Sequence, residues 1–312
     1  MTMTVVVAIG ALAQVDAALS HFWLGRGYYN PAAAGELSAI HLNLGSRMQW
    51  VDFKRAPMNF FITADMPYKL LGQRLGVGVR AEYERMGLYS NTRIGGQIAY
   101  KKRLGRNMMV SVGVQPGVFS QTFRGHERII VEEAESDPAI PEQDVSGTAF
   151  DANVGVFFSH PKLWAGLSVT HVTSPNIEMK ISRESENDYY EFKVSRGYNF
   201  MAGGNIPINN TLFEIQPSAM FYATQKFWTA QVATMIRYNR TLNIGAGYRW
   251  KDAVTAFIGI NLKDAYIGYA YDYPLSPINK ATFGSHEVFV TYNVKLDNRE
   301  KNKNKQKSVR LM

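Results

Sequence analysis

Between Leu75 and Arg85 the side chains separate into two sets. Leu75, Val77, Val79, Ala81 and Tyr83 fall on one side, Gly76, Gly78, Arg80, Glu82 and Glu84 on the other. Successive side chains of a strand point to opposite faces, so this period of two predicts a sheet with different surroundings on its two sides. The separation recurs at Val288, Val290, Tyr292, Val294 and Leu296 against Glu287, Thr291, Asn293 and Lys295, with Phe289 the exception. Ala265, Ile267, Tyr269, Tyr271 and Tyr273 likewise oppose Tyr266, Gly268, Ala270 and Asp272. Further strands are predicted over residues 40–50, 58–65, 92–101, 108–118, 150–159, 163–172, 193–205, 213–222, 228–238, 242–250 and 254–262, fourteen in all. Outside the first twenty residues no apolar helical repeat persists over three turns.

Most of these segments approach the roughly 9–11 residues that a tilted membrane-crossing strand needs. Short links at 103–107, 160–161, 207–211, 239–241 and 263–264 contrast with longer stretches at 121–149, 173–192 and 274–286. Tight turns at one end and long loops at the other are the habit of outer-membrane barrels. Hydrocarbon offers an edge strand's amides no water, so a sheet that spans it must close on itself. The predicted fold is all-β, a transmembrane antiparallel up-and-down barrel of about fourteen strands over residues 38–296. An even strand count puts both termini in the periplasm, with the barrel wall against outer-membrane lipid. Trp50, Tyr68, Trp250, Tyr271 and Tyr273, near strand ends, suit the two interfacial girdles.

Composition agrees with a β architecture: the 312 residues include 17 Tyr, 17 Phe and 26 Gly, and no Cys. The longest apolar run, 5–13, is too short for a membrane helix and reads as the core of a secretory signal peptide over residues 1–13, ending in Ala11-Leu12-Ala13. Met1-Thr2-Met3-Thr4 carries no basic residue, which leaves a misplaced start codon or a buried first strand as alternatives. Residues 14–37 form a lead-in segment. The net charge of +8 is concentrated at the far end, where residues 297–312 hold six basic and two acidic side chains. Without aromatic residues for stacking, this reads first as a solvated, disordered periplasmic tail and not as a nucleic-acid arm, with a docking arm for a polyanion or an acidic partner as the alternative.

The stretch "YYNPAAAG" (28–35), then "SRMQW" (46–50), "APMNFFITADMP" (56–67), "LGVGV" (75–79) and "GSHEV" (284–288) resembles the PorP/SprF family of Bacteroidetes outer-membrane proteins. The resemblance runs from Phe22 to Leu296. It rests on Asn30, Pro31, Ala32 and Gly35, then Arg47, Gln49 and Trp50, then Pro57, and on Gly284, Ser285 and His286 before the last strand. It implies a non-enzymatic component of the type IX secretion system, with a signal peptide, serving protein export and in some species gliding motility. Its implied partners are a periplasmic ring lipoprotein and that lipoprotein's companion, a peptidoglycan-binding adaptor, and the secreted cargo. The lysine-rich tail departs from barrels that stop at their last strand.

Read from the residues alone, Asn30-Pro31 sets a turn that delivers the chain into the first strand, and Gly35 is permissive there. Arg47 and Gln49 share a face, which places them toward the lumen and Trp50 at the interface. A structural role for these positions competes with direct partner contact. No cofactor or metal is expected: six scattered histidines lack ligand spacing, Ser285-His286 and Ser159-His160 point apart in a strand, no G-x-S-x-G elbow is present, and "GVGVR" lacks a phosphate-binding lysine. Arg80, Glu82, Glu84, Arg93 and Gln97 suit the lining of a water-filled lumen, which keeps a solute pore as the alternative function. The acidic residues between Glu127 and Asp144 read as a solvated outer loop, and a surface receptor is the third possibility.

Overall fold

The apolar positions of the alternating segments face outward and the polar ones inward. In a computed structural model that describes residues 16–127, 143–180 and 189–296, Val79, Ile94, Ile98, Leu167, Val232, Ile244 and Ile258 are exposed on the outer surface, whereas Arg80, Glu82, Glu84, Gln97, Asn153 and Asp272 are buried. This inverted arrangement suits a wall whose outer solvent is lipid. The expected signal peptide and basic tail, and most of the acidic stretch, lie outside the described residues.

Seventeen strands are described: β1 (Ala39–Met48), β2 (Met58–Leu70), β3 (Gln73–Met86), β4 (Tyr89–Arg103), β5 (Met109–Phe123), β6 (Val145–His160), β7 (Leu163–Thr170), β8 (Asn176–Lys180), β9 (Tyr189–Lys193), β10 (Gly197–Gly204), β11 (Ile206–Pro207), β12 (Phe213–Ala223), β13 (Trp228–Tyr238), β14 (Leu242–Arg249), β15 (Ala253–Leu262), β16 (Ala265–Pro274) and β17 (Ser285–Lys295). Fourteen of them form the wall, each antiparallel to the next along the chain; β10 pairs with β12, and β1 with β17, so the cylinder closes. At the seam Ala39 lies opposite Lys295 and Met48 opposite His286. The β4–β5 ladder pairs Gly95 with Gly117 and then Ile98 with Val114; Pro116, which has no amide hydrogen, lies in the gap. Among the described residues no helix is long and apolar enough to cross a membrane.

The two ends differ. The links 71–72, 104–108, 161–162, 205–212, 239–241 and 263–264 share one end, called here the turn end, with the start of β1 and the finish of β17. The long connections 49–57, 124–144, 171–196 and 275–284 leave the other, the loop end. The alternation of short and long is less regular than the sequence suggested, because 87–88, 224–227 and 250–252 are tight turns at the loop end. The stretch 173–192, expected as a loop, contains the hairpin β8–β9, and the strand expected from 193 begins at Gly197. Ile177 and Met179 of this hairpin are buried with Phe119, Val145 and Val194, so it folds over the barrel beside β5 and β6.

The lead-in segment departs most from expectation. From Asp16 onward it is packed inside the cylinder: Leu19, Phe22, Trp23, Tyr28, Tyr29, Ala32 and Ala33 form one buried cluster with Phe61, Phe157, Met201, Met235, Phe257 and Phe289 of the wall. Two short helical turns, Arg26–Tyr29 and Pro31–Ala33, shape it. An irregular, aromatic-rich chain fills a lumen that an isolated strand pattern would leave wet.

Candidate functional site

The plug begins near the loop end. Ser20 and His21 direct their backbone amides to the Glu287 carboxylate at 2.6 and 2.8 Å, and His21 Nδ1 meets the same carboxylate at 2.8 Å. The Ser20 hydroxyl donates to Asp272 and accepts from Arg47 at 2.9 Å. Arg47 also holds Asp272 at 2.6 Å, and Arg249 reaches Asp272 at 3.2 Å and the carbonyl of Ala18 at 3.2 Å. Four strands, β1, β14, β16 and β17, thus converge on two residues of the plug. Buried charges persist only when paired and hydrogen-bonded, and here each carboxylate has several donors.

A second anchor joins Asp16 to the opposite wall. His171, just beyond β7, lies between Asp16 at 3.1 Å and Asp151 at 2.5 Å. Burial alone would lower the His171 pKa, but the Asp16 charge and its hydrogen bonds with both carboxylates raise it to about 9. Burial would raise Asp16, yet His171, Arg93 and Arg80 hold it well below the usual carboxylate range. His171 is therefore a cation at neutral pH, held against the Asp16 carboxylate and hydrogen-bonded to Asp151. Among the described residues no set of three His, Asp or Glu side chains is arranged to hold a metal ion.

Midway down, the Tyr28 hydroxyl donates to Glu82 at 2.5 Å, and Arg80 donates to the Tyr28 carbonyl at 2.7 Å with its guanidinium 3.8 Å from the Tyr28 ring centre. Arg80, Glu82, Glu84, Arg93 and Gln97 do face the lumen. They bind one another and the plug, with Gln97 donating to the Gly27 carbonyl at 2.6 Å.

The family-motif residues occupy two places. Asn30 is buried; its Oδ1 accepts from the Ala32 amide at 2.9 Å, while its Nδ2 donates to the carbonyls of Val156 and Leu167 at 2.9 and 3.1 Å. Pro31 opens the short turn that follows, and a Cβ on Gly113 of β5 would come within 2.5 Å of Ala32. Gly35 has φ +66° and donates to Asp65 at 2.6 Å, and a Cβ there would meet Gly76 and Met66 at 2.7 Å. These residues seat the plug near the turn end.

The remaining motif residues meet at the loop end, far apart in sequence. Trp50 (φ +53°) donates its amide to Ser285 Oγ at 3.1 Å, and the Val51 amide to the Gly284 carbonyl at 2.8 Å; Gly284 itself has φ +88°. The Gln49 amide donates to the Pro57 carbonyl at 2.9 Å, closing the β1–β2 loop. Ser285 is buried, whereas His286 lies on the outer face, 2.6 Å from the Tyr269 hydroxyl. Gln49, Trp50 and Pro57, with Arg47, Arg249 and the plug residues Asp16–Ala18, border a vestibule of about 600 Å³. Trp50, expected at the membrane interface, is thus half-buried at this mouth, because its left-handed backbone turns it out of the strand's alternation. Tyr68, Trp250 and Tyr273 are exposed on the outer rim.

Sequence reasoning missed both anchors. Asp272 and Glu287 were visible as acids on the lumen face of their strands, but nothing in the pattern announced that the partner would be residues 16–21.

In structure the chain is similar to the toluene transporter TodX of P. putida, with 12% identity over 86% of this chain and 92% of that one and a TM-score of 0.48. It is also similar to the outer membrane protein Omp33 of Acinetobacter baumannii, with 8% identity over 82% and 98% of the two chains and a TM-score of 0.43. No curated protein matches the sequence. A family model described as type IX secretion system membrane protein PorP/SprF matches residues 11–292, from before the plug into the last strand. The chain belongs to the PorP/SprF family of type IX secretion system membrane proteins.

Proposed function

We propose that the protein is a non-enzymatic part of the type IX machinery that couples export or surface presentation of cargo to a periplasmic assembly, with the turn end, where β17 finishes, in the periplasm and the long loops outside; the expectation of both termini on that side gives way for the N-terminal one, because Asp16 is held by His171 toward the loop end. Family membership supplies the role in secretion. The observation that carries the rest is the plug: residues 16–35 pack inside the lumen and are tied to opposite walls by buried hydrogen bonds to Glu287 and Arg249 and by the Asp16–His171 pair, so the barrel reads as a docking element and not as the conduit for cargo. Short turns on the side where β1 starts and β17 finishes support the orientation. The ring lipoprotein with its companion, and a peptidoglycan-binding adaptor, remain the partners proposed for that side.

The test is a deletion strain assayed for cargo at the cell surface, together with the purified protein in planar bilayers. Loss of surface cargo with a closed barrel supports the coupling role. Normal surface cargo, or a reproducible open channel in the intact protein, overturns it in favour of a solute pore.

A further inference from the structure

The turn end is electrostatically lopsided. The links β2–β3, β4–β5 and β6–β7 present Lys69, Arg74, Lys102, Arg103, Arg106 and Lys162, all exposed, and no acidic residue occurs within 66–78, 98–118 or 155–174. Among the described residues none of these six has an ion-pair partner. The other half of the same rim is less basic: 205–212 carries no charge, Glu214 pairs with Arg237 and Asp264 with Lys295, which leaves Arg240 and Lys263 as its exposed cations without an ion-pair partner among the described residues. Register sharpens the picture. Lys69 lies opposite Arg74, so two exposed cations stand side by side across β2 and β3, an arrangement that costs stability unless an anion faces it; Lys101, opposite Arg74 on β4, is instead buried.

In the first of these links the two-residue turn Leu71-Gly72 has φ +49° and +78°. Such a turn favours Asn or Gly at its first position, and a branched apolar side chain there is strained. Leu71 is also 92% exposed. Neither backbone nor burial within the chain accounts for it, whereas an outside contact accounts for both. We propose that this sector is a docking surface for a partner protein with an acidic face, seated across the turn-end mouth with Leu71 as its apolar anchor.

Anionic lipid is the competing occupant, and two observations disfavour it. Headgroups surround the whole perimeter, whereas six of the eight unpaired rim cations among the described residues crowd one half of it and only Arg240 and Lys263 lie in the other. By the alternation of their strands, Lys69, Arg74 and Arg103 belong to the lumen side, away from the lipid annulus. The proposal rests on the coupling role only for placing this end in the periplasm.

A photoreactive residue at Leu71, and one at Asn210 on the uncharged link as control, tests it in envelopes of the native organism. The expected result is a protein adduct from position 71 and none from 210. The adduct should fade at high NaCl in otherwise unaltered protein and fall by about tenfold in Lys69→Glu/Arg74→Glu/Arg103→Glu. Heat-modifiable migration on gels verifies that the variant still forms a barrel. A lipid adduct at 71, equal protein adducts at both positions, or an adduct indifferent to salt and charge reversal overturns the proposal. Export that fails on deletion while position 71 yields only lipid would sink the docking surface and leave the secretory role standing. A salt-sensitive adduct in a strain whose export survives deletion would do the reverse.

Discussion

Glu287 and His21 meet at 2.8 Å although 266 residues separate them in the chain, and neither side chain is exposed. The same carboxylate takes the amides of Ser20 and His21, so one residue of the last strand holds the upper part of the plug. Glu287→Ala removes every one of these acceptors and leaves the Arg47 charge short of a partner. The expected cost is about 3–5 kcal/mol at this anchor. Ion conductance in planar bilayers should rise from the closed baseline of the intact protein, while Glu287→Gln, which retains an acceptor oxygen, should leak less.

The Asp16–His171–Asp151 anchor responds to pH. Its folded-state pKa of about 9 lies above the ordinary histidine value of about 6.5. The stabilisation is therefore complete below about pH 6.5 and is lost as pH rises through about 9. Because the chain contains no cysteine, a single spin label at Ala17 reports on the plug without background. Its mobility should increase between neutral pH and pH above 9, and His171→Gln should abolish that transition. An unchanged spectrum across this range would remove the anchor from the account.

Asn30 locks the turn-end half of the plug through two wall carbonyls. Asn30→Ala should weaken that seat by about 1–3 kcal/mol, the usual consequence of stripping a partner from buried polar groups. Gly155→Val should be worse, because even a Cβ at 155 would lie 2.1 Å from Asn30 Oδ1. Hydrogen exchange of residues 26–36, compared at one pH, should be faster in both variants and fastest in the second.

The outer face is tested by Ile94→Arg. Ile94 is 54% exposed among apolar neighbours, in the part of β4 assigned to the hydrocarbon. Arginine at such depth costs about 2–4 kcal/mol. The variant should assemble poorly, read as loss of the heat-modifiable band, whereas Arg103→Gln at the rim should assemble normally.

The wall was legible because lipid outside and plug inside impose a period of two on every strand. Even Phe289, the exception in its strand, obeys a physical rule: it faces inward against His21 and Phe61, where the plug makes the lumen apolar. The plug itself was illegible for the complementary reason. Its burial comes from being surrounded, not from a face, so Leu19, Phe22, Trp23 and Tyr28 follow no period. The motif residues were found by resemblance, but the meeting of those at the loop end, with Trp50 on Ser285 and Val51 on Gly284, depends on closure between the first and last strands. The β8–β9 hairpin was missed because five residues of alternation are too few to separate from a loop.

The seam has a bearing on biogenesis. Sliding β17 by one residue against β1 would turn Glu287 toward lipid and strand the amides of Ser20 and His21 without acceptors. Correct zipping of the final strand and sealing of the interior are thus a single event, and a cylinder stitched out of step would announce itself as a leak.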